Sequence, residues 1–257
     1  MSTRIRGADM MTGYEPYCGP APTPDTLSLG WNLDPFLLVA LATIALAGMW
    51  RLRKAHCADT GMRRGALILA GAATFIAFVA PLCALTVALF SARTLHHLVL
   101  LGFVAPALAI AFPFRWRAPA ASFLAVSGAL WAWHVPAVYA AAWSHDAFYW
   151  LMQIALIATA WAFWSAVFDT RDDALETLSA SAAVAGLAGQ MGLIGAVLTF
   201  APQVLYPEHL PLTAPFGLTP LADQQLAGLI MWVPGMLPMA VLTAFLLRRG
   251  WSRGFAA

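Results

Sequence analysis

Six histidines are spread along this 257-residue chain, and two of them are adjacent: His96 and His97, in the stretch SARTLHHLVLLGFVAPALAIAFP. They stand at the mouth of an apolar run long enough to cross a bilayer, where an ionisable side chain is a functional candidate by default. His134 sits inside a later apolar run, in WAWHVP, and His145 in a brief polar link, WSHD. Neutral imidazole is the commonest metal ligand in proteins, and helix bundles build metal sites from facing helices. His97 and His134, on consecutive helices joined by a short turn, are natural partners. His96 and His97 lie about 100° apart around a helix axis, so one is expected to face inward and the other headgroups or a neighbour. Interhelical hydrogen bonding is the competing use of each histidine taken singly. Asp223, in DQQLAGLIMWVPG, opens a helix. It is expected to cap that helix's free N–H groups, to orient a histidine, or to serve as a hard ligand. Cys18, with Met10 and Met11 upstream, offers soft sulfur ligands of the kind that favour Cu(I). Met231, Met236 and Met239 are read as core filling.

These residues need helices to position them. The composition is 61% hydrophobic and 10% charged, against about a quarter charged in a soluble globule. Lipid must therefore be the main solvent. Seven apolar runs follow one another: 33–50, 66–90, 91–113, 121–142, 148–168, 182–202 and 226–247. Each is near the roughly 20 residues a membrane helix requires. The fold class is an all-α integral membrane protein, a seven-transmembrane-helix bundle. The arm 1–32 is rich in Pro and Gly and is expected to be exposed in the periplasm. Residues 33–247 form the transmembrane domain and 248–257 a basic cytoplasmic tail. Pro234, Gly235 and Pro238 are expected to kink the last helix.

Alternating loops place eleven of the fourteen Lys and Arg residues on one side: Arg51, Arg53, Lys54, Arg63, Arg64, Arg115, Arg117, Arg171, Arg248, Arg249 and Arg253. Only Arg4, Arg6 and Arg93 fall on the other. The positive-inside rule puts the C-terminus in the cytoplasm and the N-terminus outside. His96, His97, His134, His145 and His209 then share the outer end, and His56 alone is cytoplasmic. Three cysteines (Cys18, Cys57, Cys83) at wide spacing indicate neither a disulfide framework nor a zinc site. The outer face is too poor in Lys and Arg to bind nucleic acid.

From WNLDP at Trp31–Pro35 to the end of the seventh run the chain resembles the multi-span CtaG family of cytochrome c oxidase assembly factors. The residues that carry the resemblance are SARTLHHLVLLGFVAPAL, WHVP, the His145 region and DQQLAGLIMWVPG. The resemblance implies a multi-pass protein of the bacterial inner membrane and of the respiratory chain. It implies no enzyme but a metallochaperone-like assembly factor that assists copper delivery or insertion at the copper-B centre of the haem-copper oxidase catalytic subunit. The implied partners are that subunit, a periplasmic copper donor, other assembly factors and membrane lipid; the implied cargo is transient Cu(I). Matched to the family's polar outer residues are His97, His134, His145 and Asp223, with His96 and Cys18 as further candidate ligands. The family pattern has a histidine one turn before His97 and a glutamine just before it. This chain has Arg93 and His96 there, and Tyr149 where a second histidine would follow His145. Two readings compete with an assembly role: an intramembrane zinc-dependent hydrolase on His97, His134 and His145, and a small-solute or metal permease.

Overall fold

A computed structural model describes residues 15–54, 59–114, 119–169 and 174–254. Met10, Met11, His56, Cys57 and the basic residues Arg4, Arg6, Arg115, Arg117 and Arg171 lie outside the described residues. Among those described, the chain is helical with no strand: α1 (Pro35–Lys54), α2 (Thr60–Phe78), α3 (Leu82–Ala88), α4 (Phe90–Val99), α5 (Ala105–Ala111), α6 (Pro119–Trp133), α7 (Pro136–Ser144), α8 (Asp146–Phe168), α9 (Ala174–Phe200) and α10 (Pro220–Gly254). Six helical segments are long and apolar enough to cross a bilayer, and the bent pair α6–α7 makes a seventh if it counts as one span. The chain is a multi-pass helical membrane protein. Its lipid-facing surface carries large apolar side chains such as Phe36, Leu46, Val233 and Phe245, as a chain solvated by hydrocarbon requires.

Three departures from the sequence reading have local causes. The run 66–90 exceeds one span, and the structure divides it: α2 stops at Phe78, and Pro81 starts the short α3. The fourth run breaks at His134–Val135, where α6 and α7 meet at 76°. Pro136 lacks an N–H and biases Val135 to the extended backbone it adopts, φ −75° and ψ 120°. The third span, Phe90–Ala111, contains a π-helical turn, Leu100–Val104, between α4 and α5. Pro106 cannot donate to the carbonyl five residues back, that of Leu101; the indole Nε1 of Trp164 donates to it instead, at 2.8 Å. Farther along, Arg63 Nε donates to the Ala111 carbonyl at 3.0 Å and Trp161 Nε1 to that of Phe112 at 2.9 Å. The histidine-bearing span is thus fixed at its far end by side chains from α2 and α8.

Among the described residues the most extensive helix contact is α9–α10. A Cβ at Gly228 would lie 2.3 Å from Thr199 Oγ1 and 2.5 Å from the Gly195 carbonyl oxygen. Small residues let these backbones touch, the usual way membrane helices gain packing without a hydrophobic drive. α10 continues as one helix through Pro234 and Pro238.

The described part of the arm, from Glu15 onward, is anchored at Cys18, which was expected to be exposed. Cys18 forms a disulfide with Cys83, 65 residues away, and is only 8% exposed. Wide spacing hid this pairing, because only the fold brings the arm back over α3. Tyr17 stacks on Tyr149 at 5.0 Å and packs edge-on against Trp150. Its hydroxyl donates to Asp34 Oδ2 at 2.6 Å. Burial, reinforced by that carboxylate, raises the Tyr17 pKa, and the same hydrogen bond lowers that of Asp34.

Candidate functional site: the histidine end of the bundle

α4 begins at Phe90, deep inside the protein, so its first N–H groups need partners that water cannot supply. Leu89 is extended and has no side chain to offer. Asp223, from the first turn of α10, fills the gap. Its Oδ2 accepts from the Phe90 N–H at 2.6 Å and its Oδ1 from the Ser91 N–H at 3.2 Å, and the Ser91 hydroxyl also donates to Oδ1. The carboxylate is completely buried and sits where a helix macrodipole favours negative charge. Asp223 was expected to cap its own helix or to serve a histidine; instead it caps the histidine helix. Thr219 caps α10, accepting from the Ala222 N–H at 3.1 Å. The next residue of the motif, Gln224, accepts from the Leu205 N–H at 2.7 Å and donates to the Gln203 carbonyl at 3.2 Å. It holds the 201–206 loop against the bundle.

That loop brings in two residues outside the predicted set. Tyr206 stacks on Phe90 at 4.1 Å and donates its hydroxyl to the His134 carbonyl at 2.8 Å, stapling the α6–α7 break. His209, 2% exposed, meets the Tyr139 hydroxyl through Nε2 at 2.8 Å and lies among Phe90, Tyr139 and Trp143 rings. Burial, with the Arg93 charge adding to it, pushes the His209 pKa down to about 3. Its position on the same face had marked it in the sequence, but its loop context had not.

His96 and His97 are both buried, at 0% and 7% exposure, with ring centroids 5.7 Å apart. The expected division into one inward and one outward ring does not occur, since α4 is enclosed on nearly every side. His96 packs edge-on against Phe78 of α2 at 5.0 Å. His97 Nε2 is buried without a hydrogen-bond partner. His134 lies within electrostatic reach of His97. Its Nδ1 faces the Leu130 carbonyl at 2.7 Å, so Nδ1 carries the proton and Nε2 the free lone pair. That is the usual orientation of a ligating imidazole.

His145 stands apart, exposed at the corner between α7 and α8 beside Ser144 and Phe148. Cys18 presents no thiolate while it is joined to Cys83. Asp223 is committed to α4. Among the described residues, no three His, Cys, Asp or Glu side chains form a group that could hold a metal ion. The residues therefore fit a resident three-ligand metal centre poorly, and Asp223, the expected general base of a zinc hydrolase, is engaged by α4. What they form is an imidazole pair, the buried His97 and the half-buried His134, with His96 beside it.

Arg93 is the residue the sequence reading undervalued. It is 4% exposed, and its Nε and Nη1 have no partner. Nη2 makes one long contact, 3.5 Å, to the Thr86 carbonyl. The guanidinium lies 5.6 Å from the centre of the Tyr149 ring. Gln153, fully buried one turn farther along α8, also has both amide atoms unpaired.

The family model described as "Cytochrome c oxidase caa3 assembly factor (Caa3_CtaG)" matches residues 115–253. No curated protein and no solved structure matches the chain.

Proposed function

The chain belongs to the cytochrome c oxidase caa3 assembly factor family, and from that premise we propose that it assists copper delivery or insertion at the copper-B centre of the oxidase catalytic subunit. The family match is the observation that carries the reading. In this reading copper is cargo, not a resident cofactor. Imidazole suits copper, and the His97–His134 pair supplies two nitrogens free to take it: the unpartnered Nε2 of His97 and the Nε2 of His134. A site short of a full ligand set holds an ion weakly and releases it, as a transfer step requires.

The same proposal sets the histidine end in the periplasm of a bacterial inner membrane. Two observations support it. Arg51, Arg53, Lys54, Arg248 and Arg249 lie at the other ends of α1 and α10, and positive charge marks the cytoplasmic side. The Cys18–Cys83 disulfide is at the histidine end, and such bonds persist in oxidising compartments. Partners there are the oxidase catalytic subunit and a periplasmic copper donor.

The test is the metal content of the oxidase purified from a strain lacking this gene. Haem at the wild-type level with copper-B missing is the expected result. Wild-type copper in that oxidase would overturn the proposal.

A further inference from the structure

Arg93 is a fixed positive charge that faces the Thr86 carbonyl, the Tyr149 ring and Tyr139 but, among the described residues, no paired carboxylate. Guanidinium does not deprotonate in proteins, and a buried charge is retained only when it is paired. Among the described residues no carboxylate is hydrogen-bonded to it: its Nε and Nη1 are unpartnered, and Asp223, reaching in from α10, is engaged by Phe90 and Ser91. The groups around Arg93 are unfulfilled as well. His96 is one turn along α4 from Arg93, on nearly the same face, and both of its ring nitrogens lack partners. α8 turns Tyr149 toward the guanidinium. Gln153, one turn beyond Tyr149 on that face, has its amide nitrogen and oxygen unpaired. α4 and α8 start from the same end of the bundle, and the contact of the Arg93 guanidinium with the Tyr149 ring joins them there. Three side chains from two helices, all at least nine-tenths buried, thus carry hydrogen-bond donors with no acceptor.

We infer that Arg93, His96 and Gln153 form a binding site for one compact monovalent anion, a halide or a formate-sized carboxylate. One unanswered positive charge calls for one negative charge. The imidazole N–H of His96 and the amide of Gln153 supply neutral donors beside the guanidinium. Enclosure sets the size: with His96 and Gln153 at 0% exposure and Arg93 at 4%, a lipid headgroup or a peptide side chain of another protein cannot reach the cluster intact. The Tyr17–Tyr149–Trp150 stack and the Cys18–Cys83 bond close it on the arm side. The site adjoins the His97–His134 pair through His96, whose ring centre is 5.7 Å from that of His97, but it does not depend on the oxidase role.

The test uses the full-length protein in detergent, exchanged into gluconate, an anion too large for the cluster. Chloride or formate then replaces gluconate at constant ionic strength while thermal unfolding is followed by tryptophan fluorescence. Mass action predicts that Tm climbs with the logarithm of anion concentration once the site fills. Dialysis against radiolabelled chloride should retain about one ion per chain, the number that neutralises a single guanidinium. A response to chloride alone identifies a halide site, and a response to formate alone a carboxylate site. Arg93→Met should fold, since it removes an unpaired buried charge, and should show no anion-dependent rise. Gln153→Leu keeps the charge and should weaken binding roughly tenfold or more, the loss of a hydrogen bond to a charged ligand. A wild-type Tm that is indifferent to both small anions overturns the inference. So does an equal rise in wild type and in either variant, which would be a general salt effect.

Discussion

Replacing Asp223 tests how the histidine end is held together. In Asp223→Ala the buried N–H groups of Phe90 and Ser91 lose their acceptors, and so does the Ser91 hydroxyl. Each orphaned buried donor costs about 1–3 kcal/mol. The hydroxyl can rotate toward another acceptor, but the two amides are fixed by the helix. The sum for the two amides is roughly 2–6 kcal/mol, less if a water enters. Asp223→Asn keeps one acceptor oxygen and turns an amide NH2 toward an N–H, so it should fall between Ala and wild type. Ser91→Ala removes only the hydroxyl and should cost about 1 kcal/mol. Denaturant unfolding of the detergent-solubilised protein gives the ranking, and hydrogen exchange gives the location, with faster exchange expected at Phe90 and Ser91 rather than across the bundle. An Asp223→Ala protein within about 0.5 kcal/mol of wild type, the scatter of a neutral surface change, would refute the capping account. So would an Asn variant less stable than Ala.

Three further outcomes follow from other contacts. In the denatured protein a maleimide should leave Cys18 and Cys83 unmodified before reduction and modify both after it; Cys83→Ser should destabilise the protein by about 2–4 kcal/mol, whereas labelling of both before reduction would exclude the bond. His209, held neutral by burial with its pKa lowered from 6.5 to about 3, favours folding above its unfolded pKa, and that contribution is lost as pH falls below 6.5 because the unfolded chain takes up the proton first. The loss approaches about 1.4 kcal/mol per pH unit; His209→Gln should flatten the decline in stability between pH 6.5 and 4, and an unchanged slope would contradict it. Gly228→Ala places a methyl on the Gly195 carbonyl and Thr199 and should cost about 1–3 kcal/mol through strain at the α9–α10 contact, measured by the same unfolding assay.

Period and composition made the spans readable, because a helix in lipid must be apolar for its whole length. Side-chain chemistry placed His96, His97 and His134 near one another, since α4 and α6 start or end at one face. The sequence also pointed at Asp223, yet not at its role: a carboxylate at a helix start reads as a cap for its own helix, and only packing shows that Thr219 has taken that job and freed Asp223 for α4. The Cys18–Cys83 bond was invisible because disulfide pairing depends on where a 65-residue loop returns. Both histidines of the pair are inside because helix geometry fixes the angle between them but not how many neighbours surround the helix. The break before Pro136 carried its own signal, the backbone preference of a residue before proline. Gln153 carried one too: an amide in the middle of an apolar run has to be satisfied by something. Arg93 stood out as a cation between apolar runs at the histidine end, and what the sequence could not show is that among the described residues no acid is hydrogen-bonded to it.

The most direct test returns the protein to cells that lack it, altered only at the histidine end. Oxidase is purified from the deletion strain carrying wild type, His97→Ala with His134→Ala, or, as a control at the opposite end, Met62→Ala, each confirmed to insert at wild-type levels. The account predicts that wild type and the control restore copper-B, and that the histidine variant yields oxidase with haem but without that copper. Full copper-B with the histidine variant would contradict it.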